Sequence, residues 1–292
     1  MVTHQSIRSD LLLVLVTLLA AISWVFSREA LNGMEPLFFI GVRFLGAGLL
    51  LAIPGWSRLR TFSPQAWRRA LLTGCVMGIA MMFWIMGLFF ADNMGVGAFL
   101  TSLAVVFIPI VGRLLFGEKA ARSTWVAMGI ALVGLVFLRI EGGFSLSTSD
   151  LFFLASALLF SLHFNLNSRF AAKLPVWPLT AIQLSVTGII GLLGSLAFES
   201  APSWPSQSLL GWLAASILIG TCMRFFIQVK AQGMAPVSHA AVIMTLEPVW
   251  ASILGVYWFA ESMTGIQLLG CCLIFSALLV SRWRLLLGRP AS

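Results

Sequence analysis

The sequence is divided into apolar runs of about twenty residues that carry almost no charge, with short breaks at Gly, Pro and charged clusters. Wound as a helix, a run of that length matches the thickness of a bilayer's hydrocarbon core. Lipid offers the backbone no hydrogen-bond partners, so a segment crossing it must satisfy its own N–H and C=O groups, which a helix does internally. Ten such runs can be drawn: 10–31, 36–56, 68–91, 95–116, 122–140, 150–170, 177–198, 207–230, 236–258 and 263–286. Composition agrees, with 60% hydrophobic and 10% charged residues and a mean hydropathy of +1.00; soluble domains are about a quarter charged. The run at 10–31 is too long for the core of a secretory signal and others follow it, so it reads as an uncleaved first span. Cys75, Cys222, Cys271 and Cys272 all lie inside apolar runs and read as small buried hydrophobes, not as a disulfide framework or a metal site. The connections leave no room for a soluble domain. The tightest, near Asp92-Asn93 and Ala231-Gln232-Gly233, imply antiparallel neighbours.

A net charge of +8 raises the question of nucleic acid, but the placement of the charges answers it differently. With the N-terminus inside, one set of span ends holds Arg8, Arg58, Arg60, Arg68, Arg69, Arg113, Lys119, Arg122, Arg169, Lys173, Lys230, Arg282, Arg284 and Arg289; the other holds Arg28 and Arg139. That bias predicts that both termini are cytoplasmic, and the expected location is the bacterial inner membrane. The acids Glu29, Glu35, Asp92, Glu141, Asp150, Glu199 and Glu261 fall mainly at the opposite ends.

The two halves echo each other. Asp10-Leu-Leu-Leu recurs as Asp150-Leu-Phe-Phe, Pro36 as Pro178, and Phe116-Gly117-Glu118 as Phe259-Ala260-Glu261 before the last span of each half. Five spans per copy is an odd number, so the second copy would enter the membrane upside down. The expected fold is an all-α integral membrane protein of ten helices in two inverted repeats, 1–145 and 146–292, a transporter architecture with a site at the repeat interface.

The run Leu246 to Glu261, with Trp24 in the first span, Arg43-Phe44 in the second and Phe116-Gly117-Glu118 closing the fourth, resembles the EamA-type branch of the drug/metabolite transporter superfamily. Within that branch, the Trp-, Phe- and Met-rich middle is similar to exporters of aromatic amino acids. The resemblance spans essentially the whole chain and implies a basket around a central cavity. The third, fourth, eighth and ninth helices would line it, and the first and sixth would gate it. One departure stands out: where the second half has Glu247-Pro248, the first has Ala104-Val105, with a proline only at Pro109.

Ionisable groups inside a span are rare and usually face a cavity or a partner. Here they are Arg43, His163, Arg224, His239 near an end, and Glu247. Glu247 falls near the midplane, and by depth alone Arg43 and Arg224 are equally good partners for it. It reads either as a contact for a substrate amine or proton, or as a structural carboxylate. Arg224 either faces a cavity or snorkels to the cytoplasmic surface. Pro248 is expected to kink its helix and to leave the Met244 carbonyl without a donor.

Arg224 and Gln228 are four apart and share a helix face, whereas their first-half counterparts are Met81 and Ile85. Polar groups thus gather in the second half, and Met81, Met82, Phe83, Trp84, Met86, Phe89 and Phe99 in the first. That asymmetry suits a ligand with a charged end and a flat apolar end, an aromatic amino acid or a flat cationic drug. The candidate substrate contacts are Trp24, Met82, Phe83, Trp84, Phe99, His163, Arg224, Gln228, Glu247 and Trp250. In the sixth span His163 and Asn167 share a face, matching Ser23 and Ser27 in the first. Ser23, Ser27 and Asn167 are therefore candidate gates, or else hydrogen bonds that hold the bundle. Gly74-x-x-x-Gly78 and the series Gly188, Gly191, Gly194 read as close-packing seams, and weakly if at all as dimer contacts, so a monomer is the reading.

The function expected is secondary transport of a small organic solute by alternating access, with the lipid bilayer and the solute as partners, no nucleic acid and no cofactor. The alternatives are another metabolite class for the same architecture, a channel, or an intramembrane lipid-modifying enzyme. The last needs clustered Asp, His or metal ligands, whereas this chain has three scattered histidines and no His-Glu-x-x-His motif. No phosphate-binding loop is present for ATP-driven transport.

Overall fold

The computed structural model describes residues 4–117, 126–127, 129–130, 133–134, 136–137, 146–200, 205–235 and 237–281. The described residues form helices and no strand: α1 His4–Ala30, α2 Pro36–Arg60, α3 Pro64–Phe89, α4 Met94–Phe116, α5 Thr148–Ala171, α6 Val176–Phe198, α7 Gln207–Met234, α8 Val237–Met244, α9 Glu247–Phe259 and α10 Gly265–Ser281. Seven of them, α1 to α7, are long and apolar enough to cross a membrane. The expected span 122–140 is described only at 126–127, 129–130, 133–134 and 136–137, all helical; Glu118, Lys119, Arg122, Arg139, Glu141, Arg282, Arg284 and Arg289 lie outside the described residues.

Helix starts follow local chemistry. Ser63 and Asn93 cap α3 and α4 by accepting from the amides of Ala66 and Val96, at 3.2 and 3.0 Å. Ser147 and Asp150 form a capping box at the head of α5, which gives the recurring aspartate a structural task there. Two acids of the second half serve helices of the first. Glu199 accepts from the amides of Leu37 (2.5 Å) and Phe38 (2.9 Å), and Glu261 from those of Met94 (2.7 Å) and Gly95 (3.3 Å). A carboxylate there meets both the unpaired N–H groups and the positive end of the helix dipole.

The tightest seam joins α2 to α6. A Cβ on Gly188 would collide with the backbone of Leu45, and one on Gly191 would lie 2.8 Å from the backbone nitrogen of Gly41. Gly74 and Gly78 bring α3 against Gln183, Val186 and Ile190 of the same α6. These glycines act as packing surfaces between the halves.

Two helices are interrupted, and the interruptions are in register. α4 breaks at Leu103 into arms Met94–Ser102 and Ala104–Phe116; α8 and α9 are separated at Thr245-Leu246. Both arms begin, and the second arm ends, 143 residues before their counterparts in the second half, and the first arm ends 142 before. The matching amides, Leu103 and Leu246, donate to Leu100 and Ile243 at 3.2 and 3.1 Å. The helices then end alike, at Gly117 (φ 70°) and Ala260 (φ 50°), both left-handed.

This corrects the expectation for Pro248. The helix has already stopped at Met244, and Pro248 sits in the first turn of α9, where an N–H would have no helical acceptor. α4 breaks at the same place with Val105 in the proline's position. The proline suits the break; it does not cause it.

Candidate functional site

Between the halves lies a cavity of about 910 Å³ including its open mouth. Both helix breaks reach it: Thr101, Ser102 and Ala104 from one, Met244, Glu247 and Pro248 from the other. Its remaining walls come from α1, α2, α3, α5 and α7.

Glu247 opens α9, and its carboxylate is held from two sides. Trp24 Nε1 donates to Oε1 at 3.0 Å, and Arg224 Nη2 lies 3.8 Å from Oε2. The choice between two arginine partners is thereby decided in favour of Arg224, which neither reaches for the surface nor stands alone. Its guanidinium also sits 4.2 Å over the ring of Phe225. One turn on, Gln228 is buried beside the cavity, and its Oε1 has no partner among the described residues.

Arg43 has a different environment. It is 2% exposed, and its ligands are all neutral: Thr221 Oγ1 at 2.6 Å, Ser27 Oγ at 2.8 Å, Ser23 Oγ at 2.5 Å and the Gly220 carbonyl at 3.1 Å. Thr221 and Gly220 of that set belong to a π-helical stretch, Ser216–Met223, in the middle of α7. A wider turn turns carbonyls away from their usual acceptor role, and such stretches are frequent at functional sites. The two serines read as candidate gates thus cluster on one buried cation, joining α1, α2 and α7.

His163 lines the cavity, with Nε2 3.4 Å from Gln183 Oε1. Asn167, one turn further, does not: it donates to Gln232 of α7. The two serine–arginine positions of the first half, Ser23 and Arg43, are twenty apart, as are His163 and Gln183 in the second.

The aromatic side of the cavity is set by helical periodicity. Trp24 and Trp84 meet edge to face at 4.7 Å and both line it, with Met81 one turn before Trp84. Met82 and Phe83 point elsewhere along the same helix: Met82 packs at Gly194 of α6, and Phe83 lies 5.9 Å from Phe152. Phe99 is buried in the core, and Trp250 packs against that core with its indole N–H unpartnered among the described residues. So of the sequence candidates the structure gathers Trp24, Trp84, His163, Arg224, Gln228, Glu247 and Ser23 around one space; Met82, Phe83, Phe99, Trp250, Ser27 and Asn167 are set back from it. Sequence reasoning missed Thr101, Ser102 and Phe160. The break after Ser102 exposes the first two, and no residue there signals a break.

A multi-pass helical membrane protein with a cavity between its halves, walled by broken helices and carrying buried charge, belongs among the transporters. The chain belongs to the EamA-like transporter family, whose model matches residues 7–140 and again 147–283. It is 26% identical over 268 residues to the uncharacterized inner membrane transporter YedA of Escherichia coli K12, covering 87% of this chain and 84% of that one. An uncharacterized transporter of Archaeoglobus fulgidus is 26% identical over 279 residues, covering 93% and 85%. A solved crystal structure shares the fold at a TM-score of 0.67 and 20% identity, over 93% of this chain and 96% of its own.

Proposed function

We propose that this transporter moves aromatic amino acids out of the cytoplasm across the inner membrane, by alternating access of two inverted halves. The observation that carries the substrate class is the composition of the cavity wall: the indoles of Trp24 and Trp84, packed edge to face, stand beside the Arg224–Glu247 pair and the Gln228 oxygen, which has no partner among the described residues. A flat side chain finds stacking partners there, and a zwitterionic head finds donors and acceptors. Both helix breaks meet at this space, and broken helices are where half-helix ends face a solute. The inward placement of both termini rests on the bias of Lys and Arg among the loops.

The test is flux. Purified protein in proteoliposomes is loaded with labelled tryptophan, phenylalanine, leucine and a flat organic cation, with and without a pH gradient. Saturable tryptophan and phenylalanine flux, with counterflow, supports the reading; saturable flux of leucine or the cation alone overturns it. Flux that ignores the pH gradient identifies uniport. His163→Gln then shows whether any pH dependence passes through that side chain.

A further inference from the structure

The two arginines of the cavity differ in their counter-charge: Arg224 has Glu247 3.8 Å away, with its own buried Nε unpartnered among the described residues, whereas Arg43 has hydrogen bonds to neutral groups alone. Arg43 has five N–H groups. Nε goes to Thr221, both Nη2 hydrogens go to Ser23 and the Gly220 carbonyl, and one Nη1 hydrogen goes to Ser27. The second Nη1 hydrogen has no acceptor among the described residues. The hydroxyls of Ser27 and Thr221 donate onward to Ser23 O (2.7 Å) and Ser216 O (2.8 Å), so they are committed as acceptors for Arg43. Ser23 accepts from Arg43, and its own hydrogen has no protein acceptor among the described residues. Ser23 and Arg43 are both buried, and both line the cavity.

Two adjacent unspent donors, one of them cationic, form a receptor for a carboxylate. The charge balance points the same way. Glu247 is the carboxylate lining the cavity, and it is taken by Arg224 and Trp24. No described carboxylate contacts Arg43. A buried cation with neutral ligands alone is costly, and an anion arriving in the cavity relieves that cost.

We propose that Ser23 and Arg43 form the subsite that receives the carboxylate of the transported solute, and that Arg43, not Arg224, selects carboxylate-bearing solutes over amines. This deepens the reading above and rests on it for the cavity being the solute's path. Gly220 is part of the receptor, since a Cβ there would lie 2.9 Å from Ser23 Oγ and 3.2 Å from Arg43 Nη2.

The experiment measures binding of three indoles to the full chain in nanodiscs: tryptophan, indole-3-propionate (carboxylate, no amine) and tryptamine (amine, no carboxylate). Wild-type protein is expected to bind the two carboxylates at least about ten-fold more tightly than tryptamine, the scale of one charge-assisted contact. Arg43→Gln is expected to erase that preference while tryptamine binding persists, which also reports that the variant is folded. Ser23→Ala, which keeps the cation, weakens the carboxylates alone, by several-fold, and Arg43→Lys retains part of the preference. Equal loss of all three ligands in Arg43→Gln, an unchanged preference in it, or no carboxylate binding to wild type overturns the proposal. Indole-3-propionate binding without tryptophan flux would remove the amino-acid reading and leave this one. Tryptophan flux with a preference indifferent to Arg43 would do the reverse.

Discussion

Arg43 and Arg224 face the same cavity and are equivalent by composition, yet the fold treats them oppositely. Arg224 is paired with Glu247 at 3.8 Å, whereas Arg43 is wrapped by three hydroxyls and a carbonyl. Each lies over one ring of an edge-to-face aromatic pair, Arg43 over Phe44 and Arg224 over Phe225, whose centroids are 5.6 Å apart. The protein has therefore neutralised one guanidinium from within and left the other's charge to be met by something else. A count of charged residues in spans cannot make that distinction; only the identity of the ligands does.

The comparison breaks most sharply at Glu247. Glu247→Ala leaves Arg224 facing the cavity without a counter-charge and Trp24 Nε1 without its acceptor; losing a charged hydrogen bond together with a part-buried ion pair costs about 2–4 kcal/mol. Thermal or denaturant unfolding in nanodiscs should show a loss of that order, and the double variant R224M/E247M should recover most of it. Glu247→Gln keeps the Trp24 bond and removes only the charge; folded protein with altered flux then places Glu247 in transport, and loss of folded protein makes it structural. No single acid can be removed from Arg43 to similar effect, and that is the contrast.

Smaller losses are expected around Arg43, because its support is divided among neutral groups. Ser27→Ala removes the acceptor of one Nη1 hydrogen and should cost about 1.5–3 kcal/mol, the range for a hydrogen bond to a charged group. Gly220→Ala has to displace either Ser23 or the guanidinium, an overpacking change of roughly 1–3 kcal/mol. Both should leave the response to Glu247→Ala unchanged, since the Arg224 pair shares no ligand with Arg43; non-additive losses in the double variants would show that the two arginines are one network.

Much of this was legible in the residues. The apolar runs anticipated α1 to α7 closely, because in lipid the span length and the backbone's need for internal hydrogen bonds leave few choices. Helical spacing of four correctly brought Arg224 and Gln228 to one cavity, and placed Ser23 and Ser27 on one partner. What stayed hidden depends on distance rather than spacing. Glu199 and Glu261 read as loop acids on the outer side, yet each caps a helix of the other half. The π stretch in α7 carries no proline, and its single glycine is ordinary in a membrane helix, yet the stretch delivers Gly220 and Thr221 to Arg43. Met82 and Phe83 were named with Trp84 because they are consecutive, but one residue along a helix is about 100° around it, so only Met81 and Trp84 share the inner face. The Leu103 break was invisible for a related reason: Ala104-Val105 is good helix sequence, and tertiary packing overrides it.

The smallest effect separates the two broken helices and tests what Pro248 does. Were the proline the cause of the break at Thr245-Leu246, Pro248→Ala would let α8 and α9 fuse, rotating Glu247 away from Arg224 and Trp24 and costing as much as Glu247→Ala. In the structure it stands in the first turn of α9, where its missing N–H is not needed and its fixed φ suits a helix start. α4 breaks at the corresponding place with Val105 there. Pro248→Ala should therefore cost less than about 1 kcal/mol, mostly through the greater freedom of the unfolded chain. Flux should stay near wild type and the Glu247–Arg224 coupling energy should be unchanged in a double-mutant cycle. The reciprocal variant, Val105→Pro, places a proline in the first turn after the Leu103 break and should be tolerated equally well. A large loss from either would mean that the two interruptions, though in register, are held open by different forces.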